Sequence, residues 1–201
     1  MNNSLETKII IAHFGEDLHW TKHLTYKFDI ISKNTIPDGT KPNRGKEASS
    51  YISYIVKNYQ RLSDITIFTH GHRNSWHHPE NIDQTINSIK FYYDYFNINS
   101  VCSARHGTPL LSLDQESLLY LHSNKYIIEN KIKIPIDPVK IKFRPASCFY
   151  VSKKTILKHK IETYQYWLDW FMTTPEDSEI SSRIFEYCWH IIFTGSHVDR
   201  Y

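Results

Sequence analysis

A chain of 201 residues, 40% hydrophobic and 22% charged, has the composition of a soluble globular protein and the length to bury one full core, so a single domain over 1–201 is expected. The formal charge of +3 is too small to call for a nucleic-acid partner. No apolar run approaches the roughly 18 residues of a membrane span, and MNNSLETK lacks the basic start and apolar core of a signal peptide, which points to an intracellular, cytoplasmic protein.

In chain order, KIIIAHF (8–14) is a continuous apolar run, the pattern of a strand buried on both faces. GEDLHWTKHL (15–24) suits a short helix and FDIISKN (28–34) a second strand, followed by a loop rich in turn formers over 36–45. KEASSYISYIVKNYQRL (46–62) places Tyr51, Ile52, Ile55, Val56 and Tyr59 on one broad helix face. SDITIFTH (63–70) is a third strand. Strand and helix alternate, which predicts an α/β domain with a mostly parallel sheet flanked by helices. A helix over 81–96 follows. The alternation of Lys with Ile or Phe over 131–144 suits a half-exposed strand whose lysines guard a sheet edge. ASCFYVS (146–152) is a further strand. A long helix over 153–172 turns Ile156, Leu157, Ile161, Tyr164, Leu168 and Phe171 inward, and a last helix over 181–193 has Ser181 or Ser182 as its cap. Cys102, Cys148 and Cys188 are odd in number and widely spaced, so they are expected as small buried hydrophobes rather than as disulfides or a zinc site.

In such sheets ligands sit outside the carboxyl ends of the strands, which here are His13–Asp17, Ser32–Asn34 and His70–His78. The last of these holds four of the twelve histidines: His70, His72, His77 and His78. His-x-His at a strand end lets both imidazoles point one way, as in some metallohydrolases; Asn74 and Ser75 depart from the way that motif continues. A phosphate- or sugar-binding loop and a solvated loop are the other readings. Glu186 and His190, four apart on one helix face, suit an acid/base pair or metal ligands, while an Arg183–Glu186 pair and a packed histidine are the plainer alternative. PNRGKE (42–47) offers cations and backbone N–H groups at a helix start, a place that favours anions. Glu16 and Asp17 suit metal or ribose binding as well as they suit a helix cap.

Taken together, IIIAHFGEDLHW, IISKN, NRGKEASSYISYIVKNYQRLSDITIFTHGH, CFYVSKKTI and FEYCWHIIF, in that order from Lys8 to Phe193, resemble a domain family of unassigned function found in fungi, algae and large DNA viruses. That family is in turn similar to nucleotide-sugar glycosyltransferases of the GT-A type, among them the capsid-glycosylating enzymes of chlorella viruses. The resemblance implies a GT-A-like, Rossmann-like fold, a UDP-sugar donor, a glycan or protein acceptor, and a divalent ion, Mn²⁺ or Mg²⁺, on the diphosphate. By position it implies that Ala12, His13, Phe14 and Glu16 flank the nucleotide and that Lys33, Arg44 and Glu47 line the donor side. His70–His72 falls where such enzymes carry Asp-x-Asp, so His70, His72 and His190 are the implied metal ligands, with Glu186 and His72 catalytic. The competing expectations are a metal-dependent hydrolase built on His70 and His72, and a non-catalytic module that binds nucleotides or glycans.

Overall fold

The computed structural model describes residues 5–33, 43–75, 80–99, 115–142 and 147–198. Strands β1 (Thr7–His13), β2 (Lys27–Ser32), β3 (Ile65–His70), β4 (Tyr95–Asn97) and β5 (Phe149–Ser152) form one sheet in the order β2-β1-β3-β5-β4. β1 pairs in parallel with both β2 and β3, and β5 runs antiparallel to β3 and to β4. The expected α/β class with helices flanking the sheet is present, but the sheet is mixed: four strands point one way and β5 runs against them. An apolar run such as CFYV reports burial on both faces and carries no signal of strand direction.

Successive side chains along a strand serve opposite faces. Ile10, Ala12, Phe68, Phe149 and Val151 join one core cluster, with Tyr51, Ile52 and Ile55 of α1 (Lys46–Asn58), as the helix periodicity predicts. α2 (Ile82–Ser88) sits on the other face, where Ile82 and Ile86 meet Ile9, Ile11, Ile67, Tyr150 and Trp20. α3 (Gln115–Ile127), α4 (Ile161–Thr173) and α5 (Ser178–Thr194) complete the first face. Among the described residues no helix is long and apolar enough to cross a membrane.

Several elements differ from their expected form. The helix expected over 81–96 ends at Ser88, and the aromatic stretch after it becomes β4; aromatic side chains suit a pleated, half-buried surface. The expected long helix is interrupted: a single turn at Lys153–Ile156, capped by the Ser152 hydroxyl, precedes α4. The break resets the helical phase, so Leu157 is exposed, and Trp167 and Trp170 join Tyr164 and Phe171 in the core. In 131–142 the alternation is real but unpaired by strands: Ile132, Ile134 and Ile136 are buried, with Lys131 and Lys133 outside, while the chain runs from a π-helical turn into a 3-10 turn. α5 starts at Ser178 on an Asp177 cap, whose carboxylate accepts from the Ile180 N–H, so Ser181 and Ser182 lie inside the helix. Cys148 and Cys188 are buried free thiols, as expected. Cys102, His77, His78 and the loop over 36–42 lie outside the described residues.

Candidate functional site

β1 and β3 are parallel neighbours whose next strands, β2 and β4, lie toward opposite edges of the sheet, and their carboxyl ends open onto a cleft of about 470 Å³. Its lining includes His13 and Phe14 from the end of β1, His70 and His72 from the end of β3, and Glu47 and Glu186 from α1 and α5. Ala12, Glu16 and Lys33 also reach it. Nine of the eleven residues selected from sequence therefore meet in one place. Arg44 and His190 are not among its lining residues.

Close approach at the strand end depends on Gly71. A Cβ there would lie 2.7 Å from Glu16 Oε2, and the Gly71 carbonyl accepts a 2.8 Å hydrogen bond from Trp20 Nε1. The glycine of His-Gly-His thus lets the Glu16 side chain lie against the end of β3. Glu16 Oε2 accepts from the Phe14 N–H at 2.6 Å, and Glu16 Oε1 stands 3.6 Å from His72 Nε2. His13 bridges outward, with Nδ1 3.2 Å from Ser32 Oγ and Nε2 3.2 Å from the Glu16 carbonyl. Phe14, 45% exposed, is the one large aromatic face open at the rim among the lining residues.

The opposite wall comes from two helix starts. α1 begins on Gly45 at φ 63°, where a Cβ would lie 2.3 Å from Phe171 Cδ1; backbone conformation and space both require glycine there. Glu47 Oε1 accepts from the Ser182 hydroxyl at 2.8 Å, and Lys46 pairs with Glu179. Lys33 Nζ donates to the Arg44 carbonyl at 2.8 Å, and also to the Lys46 carbonyl and the Ser49 hydroxyl. Those three acceptors occupy the three donors of an ammonium group, so Lys33 ties the start of α1 to the end of β2 instead of reaching a ligand's phosphate. Arg44 Nη1 donates to the Thr174 and Phe171 carbonyls at 2.7 and 3.3 Å, closing the end of α4, where cations are favoured by the helix dipole. His190 is buried one turn beyond Glu186, with Nε2 3.3 Å from the Val198 carbonyl and its ring edge-on to Tyr95. The plainer alternative, a packed histidine, describes it.

Burial sets the electrostatics. It pushes the Glu186 carboxyl up to about 7, with Glu47 and Glu179 adding repulsion and Arg183 opposing it. Burial lowers the His70 imidazole, against the pull of Glu47 and Glu16. Burial also brings Lys33 down to about 8, partly offset by Glu47. A carboxyl group raised toward neutrality in a cleft marks Glu186 as a candidate for acid/base or charge-stabilising work. Arg183, the expected partner of Glu186, lies over the Tyr120 ring at 5.5 Å.

Sequence reasoning missed the cleft's hydroxyl groups. Ser50, Ser75, Ser147 and Ser182 line it, and the buried Ser50 Oγ and Ser75 Oγ have no hydrogen-bond partner among the described residues. The signal for Ser50 was present: two serines stand on the inner side of an otherwise apolar helix face. Ser75 and Ser147 carry no such pattern.

Among the described residues no three His, Cys, Asp or Glu side chains converge to hold a metal ion. An ion that arrives on a ligand's phosphates needs only one or two protein ligands.

No curated protein and no solved structure matches the chain. A family model does, over residues 9–200, nearly the whole chain. The chain thus belongs to the family described as protein of unknown function DUF3431.

Proposed function

We propose that the protein is a glycosyltransferase of GT-A-like organisation, moving a sugar from a nucleotide-sugar donor, a UDP-sugar foremost, to a hydroxyl of a glycan or glycoprotein such as a viral capsid protein. The observation that carries this is the composition of the cleft floor. Glu47, Glu186 and serine hydroxyls unpartnered among the described residues lie together at the strand ends, a set that matches the alternating donors and acceptors of a sugar ring. The exposed face of Phe14 at the rim suits a stacked base.

The engaged cations decide how a diphosphate is met. With Lys33 tied to carbonyls, Lys46 paired to Glu179 and Arg44 at the end of α4, Arg183 is the cation among the described lining residues that no carboxylate or carbonyl holds, one charge against the two or more of a diphosphate. A divalent ion, Mn²⁺ or Mg²⁺, supplies that charge when bound with the donor, and Glu47 and His70 would hold it. The ionised Glu186 carboxylate steadies positive charge building on the anomeric carbon.

A thermal-shift screen of nucleotide sugars, each with and without Mn²⁺, tests this, because a ligand of the native state raises apparent stability. The expected result is a rise of several degrees with one donor, larger with Mn²⁺. Glu186→Ala should keep that shift and lose about a hundredfold or more in transfer rate. If no nucleotide or nucleotide sugar shifts the melting point at millimolar concentration, the transferase reading is wrong.

A further inference from the structure

A second cavity of about 370 Å³ lies beside the cleft. Its walls come from the short 3-10 helix His19–His23, which presents His19, Lys22 and His23, and from Trp20, Asp17 and Arg73. The walls are braced. Arg73 is held by both oxygens of the buried Asp83 at 2.9 and 3.0 Å, Asp17 Oδ1 accepts from the His19 N–H at 2.8 Å, and Trp20 is fixed on the Gly71 carbonyl. Two side chains, Glu16 and His72, line both cavities. They form the ridge between them, with Glu16 mostly buried and the His72 side chain 59% exposed.

Group transfer needs its two substrates on either side of one point, within near-attack distance of each other. The ridge is such a point. We infer that the second cavity is the acceptor subsite of this enzyme, that it takes a single sugar residue at the end of a glycan, and that the reacting hydroxyl of that sugar meets the donor at the Glu16–His72 ridge. The inference rests on the transferase reading of the neighbouring cleft. A sugar fits the lining better than a peptide does: Trp20, the apolar member, is buried, and the remaining groups are hydrogen-bonding side chains. The volume also suits one ring rather than an extended chain.

In the step itself the acceptor oxygen bonds to the anomeric carbon as that carbon's bond to the phosphate oxygen breaks. The bonding electron pair leaves with the diphosphate, and the hydroxyl proton passes to His72 Nε2. Glu16 Oε1 stands 3.6 Å from that same nitrogen, so the positive charge arrives beside a carboxylate already in place.

The test uses methyl glycosides of glucose, galactose and mannose as acceptor probes, followed by the ring signals of the histidines in NMR spectra of the full chain. The expected result is that one glycoside moves the His19 and His23 signals and leaves those of His159 and His197, in a different cavity, unmoved. His23→Trp, which fills the second cavity, should abolish that movement and raise the acceptor KM at least tenfold while the donor's thermal shift persists. His23→Gln, which keeps the space, guards against a folding artefact and should retain the movement of the His19 signal, which His23→Trp abolishes. His72→Gln should lower kcat about a hundredfold with the acceptor KM unchanged. Unmoved His19 and His23 signals with every glycoside, or an unchanged acceptor KM in His23→Trp, would overturn the assignment. Absence of any donor shift would instead sink the transferase reading, and the glycoside arm reports on the second cavity regardless.

Discussion

The cleft at the strand ends and a groove beside the start of α4 are of similar size, about 470 and 570 Å³. In the groove a ring nitrogen of each histidine and of the tryptophan is already spoken for, while Lys133 and Glu162 lie at its solvent side. His159 Nε2 lies 2.8 Å from the Ile192 carbonyl, His197 Nε2 accepts from the Asp137 N–H at 3.1 Å, and Trp167 Nε1 donates to the Ile132 carbonyl at 2.9 Å. What remains facing the space includes Ile134, Pro135 and Ile191. The cleft keeps two buried hydroxyl groups without partners among the described residues and a carboxyl displaced to about 7. Volume therefore says little about function here; incomplete polar pairing in a concave site says more.

That contrast can be broken or sharpened by substitution. The largest effect is expected at Gly45, which positions the cleft wall: Gly45→Ala forces a side chain into φ 63° and against Phe171. Strain and overpacking together should cost about 3 kcal/mol, a fall of roughly 6–12 °C in melting temperature for a chain of this size, read by calorimetry.

Next comes Glu186→Gln. Between its ordinary value near 4.5 and the folded value of about 7, native Glu186 holds a proton that the unfolded chain has released. Wild-type stability therefore falls as pH rises through that window and is level on either side. The glutamine variant lacks this slope, so it should match wild type at pH 4 and exceed it at pH 8 by about 2 kcal/mol, allowing for partial exposure. Urea unfolding at the two pH values checks it, and equal curves at pH 8 would mean that the carboxyl is ordinary.

Gly71→Ala meets the Glu16 carboxylate at 2.7 Å and its Cβ at 3.1 Å, at an ordinary backbone conformation, so its stability cost should be about 1–2 kcal/mol. Because the displaced carboxylate belongs to the ridge, the same variant should lose most of the proposed transfer activity. The smallest effect is expected in the groove. Lys133→Gly gives up a contact of Nζ with the Tyr166 ring at 4.8 Å but relieves a lysine at φ 62°, so stability should change by less than about 1 kcal/mol. Donor-induced thermal shifts should be unaltered in that variant. A donor shift lost there and kept in Gly71→Ala would reverse the roles assigned to the two regions.

Much of this arrangement was legible in the chain. Strand ends are marked by where apolar runs stop, and the rule that ligands sit at carboxyl ends suffices to group His13, Glu16, His70 and His72. Periodicity gave the buried face of α1. What could not be read was competition for partners. Lys33 and Arg44 look identical to ligand-gripping cations until the carbonyls of Lys46, Phe171 and Thr174 are placed beside them. His190 and Glu186 share a helix face, yet one turn separates the cleft from the core, a depth that spacing does not encode. The break before α4 and the reversal of β5 escaped because neither turn chemistry nor burial pattern distinguishes a continued helix from a restarted one, or one strand direction from the other.

The placement of β5 between β3 and β4 has a consequence for how the chain acquires its shape. Residues 149–152 supply the strand that joins β3 to β4, so the first three strands, complete by His70, present the open edge of β3 until about eighty further residues have been made. Sheet closure is thus a long-range event, of the kind that slows folding and leaves an apolar edge available to other chains meanwhile. Fragments ending before Phe149 should aggregate during synthesis, whereas those extending through α5 should remain in solution, because they carry both β5 for the open edge of β3 and the last helix that covers its face.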